Sequence, residues 1–265
     1  MPIYQDQLHR QIELPAVPQR IISLVPSQTE LLFDLGLDDA VVGITKFCVH
    51  PEEWLSAKTR VGGTKKLNIE KICSLQPDLI IANKEENLQK EIEILAKMFP
   101  VWISDIANMN NAYAMIKGIG AITGKKEKAA ELVLQIQSGF AKLAKEQRQR
   151  KIREKTAYLI WRAPYMSAGG DTFINEMMQT AGFENVFANE SRYPVVHTGI
   201  LQQKDTALVL LSSEPFPFRN KHIAELAEIV PGARILLADG EIFSWYGSRL
   251  LHAPDYIRSL WEQLG

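Results

Sequence analysis

The sequence predicts an α/β protein of two lobes, each with a central, mostly parallel sheet flanked by helices, joined by one long bridging α-helix. Short apolar runs alternate with helical patterns, which is typical of a parallel sheet. One helical pattern is longer than a lobe of this size needs internally. The segments on its two sides also resemble each other, which favours a duplicated architecture.

The first lobe is predicted to span residues 1–124. Ser27 and Glu30 have the spacing of a capping box, which predicts a helix that stops at Gly36. Asn68 is predicted to cap a second helix, which runs to Leu75. Buried strands are predicted at residues 21–25, 41–44, 78–82 and 101–104, and an amphipathic helix at residues 86–98.

The bridging helix is predicted over residues 125–151, after Gly124 as the C-cap of the preceding helix. It extends to about Arg150, a length of roughly 35 to 40 Å, and only Gly139 interrupts it. Its apolar residues recur with helical spacing at Ala129, Val133, Ile136, Phe140 and Leu143. The second lobe, residues 152–265, then carries strand candidates at 158–161, 207–211 and 235–238 and helical stretches at 171–181, 222–229 and 247–264.

An internal repeat relates the two lobes. Residues 68–81 align with residues 197–210 at a constant offset, and both predict a short helix, a turn and a buried strand. Chance similarity between two ordinary αβ units is the alternative.

Composition excludes several function classes. The 265 residues contain 30 Lys and Arg against 31 Asp and Glu, so the net charge of -1 gives no electrostatic argument for a nucleic-acid or anionic-membrane partner. Two cysteines cannot form a disulfide framework. Charged residues occupy the N-terminus where a secretory signal needs apolar ones, and about 18 consecutive apolar residues occur nowhere, so we expect a soluble chain that is not exported.

Motifs for enzymatic chemistry are not supported. Gly118, Gly120 and Gly124 superficially resemble a phosphate-binding loop, but Lys126 stands where that loop needs Ser or Thr. Gly-x-Ser-x-Gly, His-Glu-x-x-His and Cys-x-x-Cys motifs do not occur, and the five histidines are scattered. The sequence therefore favours a protein that is not an enzyme.

Aromatic and cationic residues gather just after predicted strands. They lie in four segments, residues 46–50, 161–165, 216–219 and 243–249. Ligands of open parallel sheets bind outside the carboxyl ends of the strands, so these segments predict a cleft between the lobes for a bulky ligand with a broad apolar face. The alternative is that the aromatic rings cover the lobe interface while the cations face water.

At this point the chain resembles a known family, the helical-backbone solute receptors of ABC importers for cobalamin, iron siderophores and haem. The resemblance covers nearly the whole chain from about residue 18 and looks closest to the cobalamin-binding branch. It rests on residues 18–31, the strand end at Val42 and Gly43, residues 68–72, residues 76–80 and the long helix after Gly124.

The resemblance implies a ligand held between two lobes with little hinge closure. It also implies docking on a permease through one acidic residue of each lobe. Glu70 matches the first of these, but Gly199 occupies the second position and cannot form a salt bridge. We therefore expect either a receptor adapted to another permease or a cytoplasmic carrier or sensor with the receptor fold. Family members are periplasmic or membrane-associated, whereas the absence of a signal peptide leaves the cytoplasm open.

The resemblance further places Phe47 against a macrocycle and puts Thr64 where relatives have Trp. Cys48 and His50 are candidates for axial contact with a bound metal, against the alternative of a buried thiol and a hydrogen-bonded imidazole.

The expected function is non-enzymatic binding of a metal chelate by a monomer without an intrinsic cofactor. A corrinoid is the first choice of chelate, and a ferric siderophore or haem is the second. The competing class is a corrinoid or tetrapyrrole enzyme using Cys48, His50 or Glu85. The predicted ligand-binding residues are Phe47, Cys48, His50, Thr64, Trp161, Arg162, Tyr165, Phe216, Arg219, Trp245, Tyr246 and Arg249.

Overall fold

The computed structural model describes residues 1–150 and 153–265, which form two compact units. The first unit comprises Met1–Ile106, Asn110–Ile136 and Tyr246–Arg249, and the second comprises Ala107–Met109, Gln137–Trp245 and Leu250–Gly265. Within the described residues, no helix has the length and apolar character needed to cross a membrane.

Fourteen elements precede the long helix, and the sheet among them is parallel throughout. In chain order they are β1 (Ile3–Gln5), β2 (Gln11–Glu13), β3 (Ile21–Ser23), α1 (Pro26–Asp34), β4 (Val41–Ile44), α2 (Trp54–Ala57), β5 (Thr59–Arg60), β6 (Gly62–Gly63), β7 (Lys66–Leu67), α3 (Ile69–Ser74), β8 (Leu79–Asn83), α4 (Gln89–Ala96), β9 (Val101–Ser104) and α5 (Met109–Ile122). The sheet order is β5-β4-β3-β8-β9, and β1–β2 and β6–β7 form separate antiparallel pairs.

The second unit has a mixed sheet dominated by parallel pairs. The elements after the long helix are β10 (Glu154–Trp161), β11 (Met166–Ser167), α7 (Phe173–Thr180), β12 (Phe183–Asn185), α8 (Thr198–Gln203), β13 (Leu208–Ser212), α9 (Asn220–Ile229), β14 (Arg234–Ala238), α10 (Gly240–Ser244), a 3₁₀ turn (Ser248–Leu251) and α11 (Ala253–Leu264). Strand β10 pairs in parallel with β12 and β13, and β13 pairs in parallel with β14, whereas β11 pairs with β10 in the antiparallel direction. The predicted α/β fold of two lobes is therefore confirmed.

The long helix α6 (Lys126–Arg150) is continuous for 25 residues, about 37 Å at the usual rise. The boundary between the two units falls inside it, after Ile136. All five residues of the predicted apolar series are buried. The last residue of the predicted bridging segment, Lys151, lies outside the described residues.

Two predictions about helix ends have opposite outcomes. Asn68 caps α3, because its side chain accepts a hydrogen bond from the Lys71 backbone N–H at 2.9 Å. The capping box at Ser27 is wrong, since α1 begins at Pro26 and its N-cap, Val25, makes no side-chain cap bond. Proline fits the first helical turn because that turn leaves its N–H groups without helical acceptors, and Ser27 is therefore already inside the helix.

The predicted helical stretch over residues 247–264 is divided in two. The chain forms the 3₁₀ turn and then α11, in which Pro254 lies in the first turn. A proline inside a longer helix would remove a backbone hydrogen bond, so the chain restarts its helix there.

The internal repeat is present in the structure. Helix α8 and strand β13 lie at the same offset from α3 and β8 that relates the two sequence segments. The turn between helix and strand also matches, since Gln76 and Asp205 both have positive φ, 44° and 50°. Similar sequence patterns here produce the same helix, turn and strand.

The glycines that resemble a phosphate loop have a packing role. A Cβ on Gly120 would lie 2.2 Å from the Ala129 Cβ, and one on Gly118 would lie 3.0 Å from the Trp102 ring. These glycines let α5 approach α6 and β9 closely. Gly124 follows α5 with a φ of +71°, which confirms the predicted C-terminal cap.

Candidate functional site

A groove of about 710 Å³ opens in the first unit, where β4 and β5 end. The carboxyl ends of parallel strands are the usual place for a ligand in this class of sheet. The groove brings together two predicted residues, Phe47 and Glu70, with a cluster of lysines. Its lining residues are Lys46, Phe47, Gly62, Gly63, Lys65, Lys66, Leu67, Asn68, Ile69 and Glu70.

The β6–β7 hairpin forms much of this groove and is held at several points. The Lys46 backbone N–H donates to the Gly62 carbonyl at 2.8 Å, and the Leu67 N–H donates to the Glu91 carboxylate at 3.1 Å. The Thr64 carbonyl accepts from the Asn87 amide at 3.1 Å. Thr64, predicted as a ligand contact, is itself buried in the turn of this hairpin.

Phe47 is the exposed aromatic residue of the groove. Its side chain is 50% exposed, and the Lys46 ammonium lies 4.9 Å from its ring centroid. A Cβ on Gly63 would be 3.1 Å from the Phe47 ring, so glycine allows the ring to lie close to the hairpin. The ring therefore presents a large apolar area to solvent at a fixed place.

Cys48 lies in the interior and not on the groove. Its sulfur accepts from the Thr29 hydroxyl at 3.0 Å and lies 3.2 Å from that of Thr45, and burial raises the pKa of the thiol. His50 is half-buried, and its electrostatic effect lowers the pKa of Glu30, against the larger effect of burial. Across residues 1–150 and 153–265, no group of three or more His, Cys, Asp or Glu residues is arranged to hold a metal.

Trp161 marks the carboxyl end of β10 in the second unit and is 41% exposed. Its ring meets Phe216 edge-on at 5.9 Å, and Phe216 contacts Phe218 at 4.8 Å. Arg219, at the N-cap of α9, is exposed. This edge therefore combines an exposed indole with a nearby buried aromatic cluster.

Arg162 and Tyr165 both bind Glu225. The guanidinium of Arg162 reaches the carboxylate at 2.9 Å, and the Tyr165 hydroxyl donates to it at 2.6 Å. These bonds lower the pKa of Glu225, and burial together with the bond to Glu225 raises the pKa of Tyr165 to about 12. Arg162 and Tyr165 were predicted to contact a ligand. In the structure both bind Glu225, which holds the two side chains together.

Trp245 is only 6% exposed, and its indole N–H donates to the Glu214 carboxylate at 2.9 Å. The Ser244 hydroxyl donates to the same oxygen at 2.6 Å. Burial raises the pKa of Glu214 in spite of these bonds. Glu214 was not among the predicted residues, although it lies two residues before the predicted 216–219 segment, after β13.

Arg249 forms a bidentate ion pair with Glu30 inside the first unit, at 2.6 and 3.0 Å. The two side chains are only 14% and 15% exposed. Tyr246, in the same segment, is buried. The guanidinium predicted to meet a ligand is therefore already bound to a carboxylate.

The two docking positions differ in the structure as they do in the sequence. Glu70 is exposed in the first turn of α3 and lines the groove. Gly199 lies in the first turn of α8, and a Cβ there would meet open space. A docking role for Glu70 stays a prediction.

Comparison with known proteins gives two kinds of relatives. The ABC transporter substrate-binding lipoprotein YvrC of Bacillus subtilis (strain 168), itself uncharacterized, is 29% identical over 217 residues, 79% of this chain. The match spans 66% of that relative. The vitamin B12-binding protein of Yersinia pestis (strain Pestoides F) is 28% identical over 210 residues, 77% of this chain and 73% of that protein. Nothing in the comparisons supports a cytoplasmic carrier or enzyme.

Solved structures share the fold at lower identity. The periplasmic vitamin B12 binding protein BtuF of Vibrio cholerae has a TM-score of 0.78 and 22% identity over 94% of this chain and 100% of its own. The periplasmic heme-binding protein RhuT of Roseiflexus sp. RS-1 has a TM-score of 0.80 and 20% identity over 93% of this chain and 99% of its own. A family model described as periplasmic binding protein matches residues 21–228. The chain therefore belongs to the periplasmic binding protein family, whose two-lobed α/β fold it has.

Proposed function

We propose that this chain is a non-enzymatic substrate-binding protein that binds a metal chelate and delivers it to an ABC importer. The chelate is a corrinoid first, with a ferric siderophore or haem as the second choice. The relatives include a vitamin B12-binding protein and a substrate-binding lipoprotein, so the proposal includes a periplasmic or membrane-associated location.

The observation that carries the proposal is the open groove beside Phe47. A flat macrocycle offers an apolar face that could stack on the exposed ring of Phe47 inside this concave site. The groove lies at the carboxyl ends of β4 and β5, where the sheet offers loops rather than packed side chains. The second unit offers one exposed aromatic residue, Trp161, and one exposed cation, Arg219, in the predicted segments.

The predicted site residues then divide by role. Phe47, Trp161 and Arg219 are the proposed contacts with the chelate, because all three are exposed and lie in the predicted aromatic and cationic segments. His50, half-buried after β4, and Phe216, which packs against Trp161, stay secondary candidates. The remaining predicted residues are proposed to support the site, since they are buried or engaged within the protein: Cys48, Thr64, Arg162, Tyr165, Trp245, Tyr246 and Arg249.

Docking on the permease is proposed to use Glu70. The first turn of α3 presents its carboxylate to solvent, where an arginine of a partner could pair with it. The repeat-related position, Gly199, has no side chain, so we propose that docking through the second unit uses other contacts. We propose a monomeric protein that needs no intrinsic cofactor.

Titration calorimetry with cobalamin, cobinamide, haemin and a ferric hydroxamate siderophore tests the proposal. We expect saturable binding of at least one chelate without nucleotide or added metal. Phe47→Ala should weaken the free energy of that binding by about 1 to 3 kcal/mol. Leu134→Ala is the matched control, because Leu134 is an exposed apolar side chain on α6. The proposal is contradicted if the protein binds none of the four chelates. It is also contradicted if the protein converts a chelate chemically. Binding of haemin or siderophore alone moves the assignment to the second choice.

A further inference from the structure

We infer that the chelate carries anionic groups, carboxylate or phosphate, next to its flat face, and that Lys46, Lys65 and Lys66 bind them. The inference rests on the proposed function and specifies its ligand. The three lysines line the groove that contains Phe47. A ring stacked on Phe47 would place the substituents at its rim among these ammonium groups.

The local fold fixes where two of the lysines stand. Strand pairing in the β6–β7 hairpin sets Gly63 opposite Lys66, which leaves Thr64 and Lys65 as its two-residue turn. The Lys65 ammonium also donates to the Glu85 carbonyl. The hairpin itself is tied to Asn87 through the Thr64 carbonyl. Lys65 and Lys66 therefore sit on a braced turn and not on a free loop.

Lys46 belongs to a second segment of the groove, the one that follows β4. Its ammonium lies 4.9 Å from the Phe47 ring centroid, over the ring. A cation is attracted to the face of a ring, so Lys46 keeps its ammonium within reach of a ligand that contacts Phe47. The ammonium groups thus come from two separate segments, one following β4 and one at the hairpin turn.

The charge of the groove departs from that of the whole chain. The protein has a net charge of -1, whereas the groove lining holds three lysines, one glutamate and six uncharged residues. Lys58 and Lys84 of the same unit pair with aspartates. For Lys46, Lys65 and Lys66, no ion pair with a carboxylate is formed by any residue of 1–150 or 153–265.

A further carboxylate lies next to the hairpin but outside the groove lining. Glu91 accepts the Leu67 N–H at 3.1 Å and so helps to hold the hairpin in place. Glu70 lines the groove as its one acidic residue, which leaves the lining with a surplus of positive charge. Such a surplus in a concave site attracts anions, and ammonium-to-oxyanion bonds are among the stronger hydrogen bonds in proteins.

Two matched ligand pairs test the inference. Haemin has two propionates that its dimethyl ester lacks, and cobalamin has a phosphodiester that cobinamide lacks. For the pair that binds, we expect Lys65→Gln/Lys66→Gln to weaken binding of the acidic member, which carries the anionic group, about tenfold or more and binding of the member without that group less than twofold. Lys46→Gln, measured separately, should act in the same direction. Raising the salt concentration should weaken the acidic member selectively.

Lys71→Gln is the control, because Lys71 is an exposed lysine of α3 outside the groove lining. Circular dichroism and the urea midpoint show whether each variant is folded. Equal loss for both members of a pair, or no loss for the acidic member, overturns the inference while the proposed function stands. Failure of the wild-type protein to bind haemin or cobalamin overturns the inference, and failure to bind the ferric hydroxamate siderophore as well overturns the proposed function.

Discussion

Trp161 and Trp245 occupy similar sequence contexts, since each lies close to an arginine in an irregular segment after a predicted strand. Trp161 is exposed in the structure, whereas Trp245 is buried and its indole N–H donates a hydrogen bond to Glu214. The expectation that Trp245 faces a ligand is therefore at odds with its placement. No local sequence signal separates the two, because burial depends on what packs over each ring.

Alanine substitutions should separate the two tryptophans. Trp161→Ala is expected to weaken chelate binding by about 1 to 3 kcal/mol with little change in the free energy of unfolding. Trp245→Ala is expected to lower the free energy of unfolding by about 3 to 5 kcal/mol, because it leaves a large cavity. Calorimetry and urea denaturation measure the two quantities. A Trp161 variant that binds normally would remove Trp161 from the site.

Glu214 predicts a pH dependence of stability. Its pKa is raised by burial, so the folded state holds the proton at pH values where the unfolded chain has released it. The stability that this proton provides is present below the unfolded value of about 4.5 and is lost as the pH rises through the folded value. Glu214→Gln keeps an acceptor oxygen for Trp245 and removes the titration. We expect the wild type to lose stability relative to this variant as the pH rises from 4 to 7.

Glu225 is the matched control with the opposite sign. Its pKa is lowered, chiefly by the hydrogen bond from Arg162. The stability that the charged Glu225 provides is present above the pKa of the unfolded chain and is lost as the pH falls through the pKa of the folded state. The free energy of unfolding of the wild type should therefore rise relative to that of Glu225→Gln as the pH rises. Urea denaturation at several pH values checks both curves. The same slope in both comparisons would show that neither carboxylate is titrating as described.

At the scale of elements, Gly120 determines how closely α5 and α6 pack. Gly120→Ala would place a methyl group 2.2 Å from the Ala129 Cβ, so the helices must separate. We expect a loss of about 1 to 3 kcal/mol in the free energy of unfolding, in spite of the better helix propensity of alanine. Gly199→Ala in α8 is the control, since a Cβ there meets open space and should stabilise by up to about 1 kcal/mol. Stabilisation by Gly120→Ala would contradict the packing role.

Elements with strong local patterns were predicted well. Strands β4 and β9 have the expected bounds, and α6 begins within one residue of its expected start, because long apolar periodicity needs no information from elsewhere in the chain. At the end of the chain, the division of the helical stretch into a 3₁₀ turn and α11 was not predicted. Residues 247–264 have a helical pattern, but Gly247 packs so close to the Ser27 carbonyl that a Cβ would lie 2.5 Å from it. That contact joins segments far apart in the sequence and has no local signature.

At the scale of the whole molecule, Tyr246–Arg249 belongs to the first unit although it lies near the end of the chain. The Arg249–Glu30 ion pair fixes it there across 219 residues of sequence. Burial raises the pKa of Glu30, and the hydrogen bond and charge of Arg249 offset part of that effect. Arg249 therefore stabilises the charged form of the Glu30 carboxylate. The pair thus holds a distant segment against α1.

Glu30→Gln should therefore destabilise the protein. It removes the bidentate carboxylate from a guanidinium whose side chain is only 14% exposed, which we expect to cost about 1 to 3 kcal/mol in the free energy of unfolding. Glu146→Gln is the control, because Glu146 forms a similar bidentate pair with Arg258 at the surface and its loss should matter less. A larger effect of Glu146→Gln in urea denaturation would refute the structural role of the Glu30 pair.

The sequence by itself determined the α/β class, the long helix, the local repeat and the family resemblance, because each depends on short-range periodicity or on contiguous motifs. It also identified Phe47 and Trp161 as aromatic residues at strand ends. Only the tertiary structure decided that Cys48 and Trp245 are buried and that Glu225 and Glu30 engage Arg162 and Arg249. Exposure and charge pairing arise from segments brought together by folding, and the residue types alone do not contain that information.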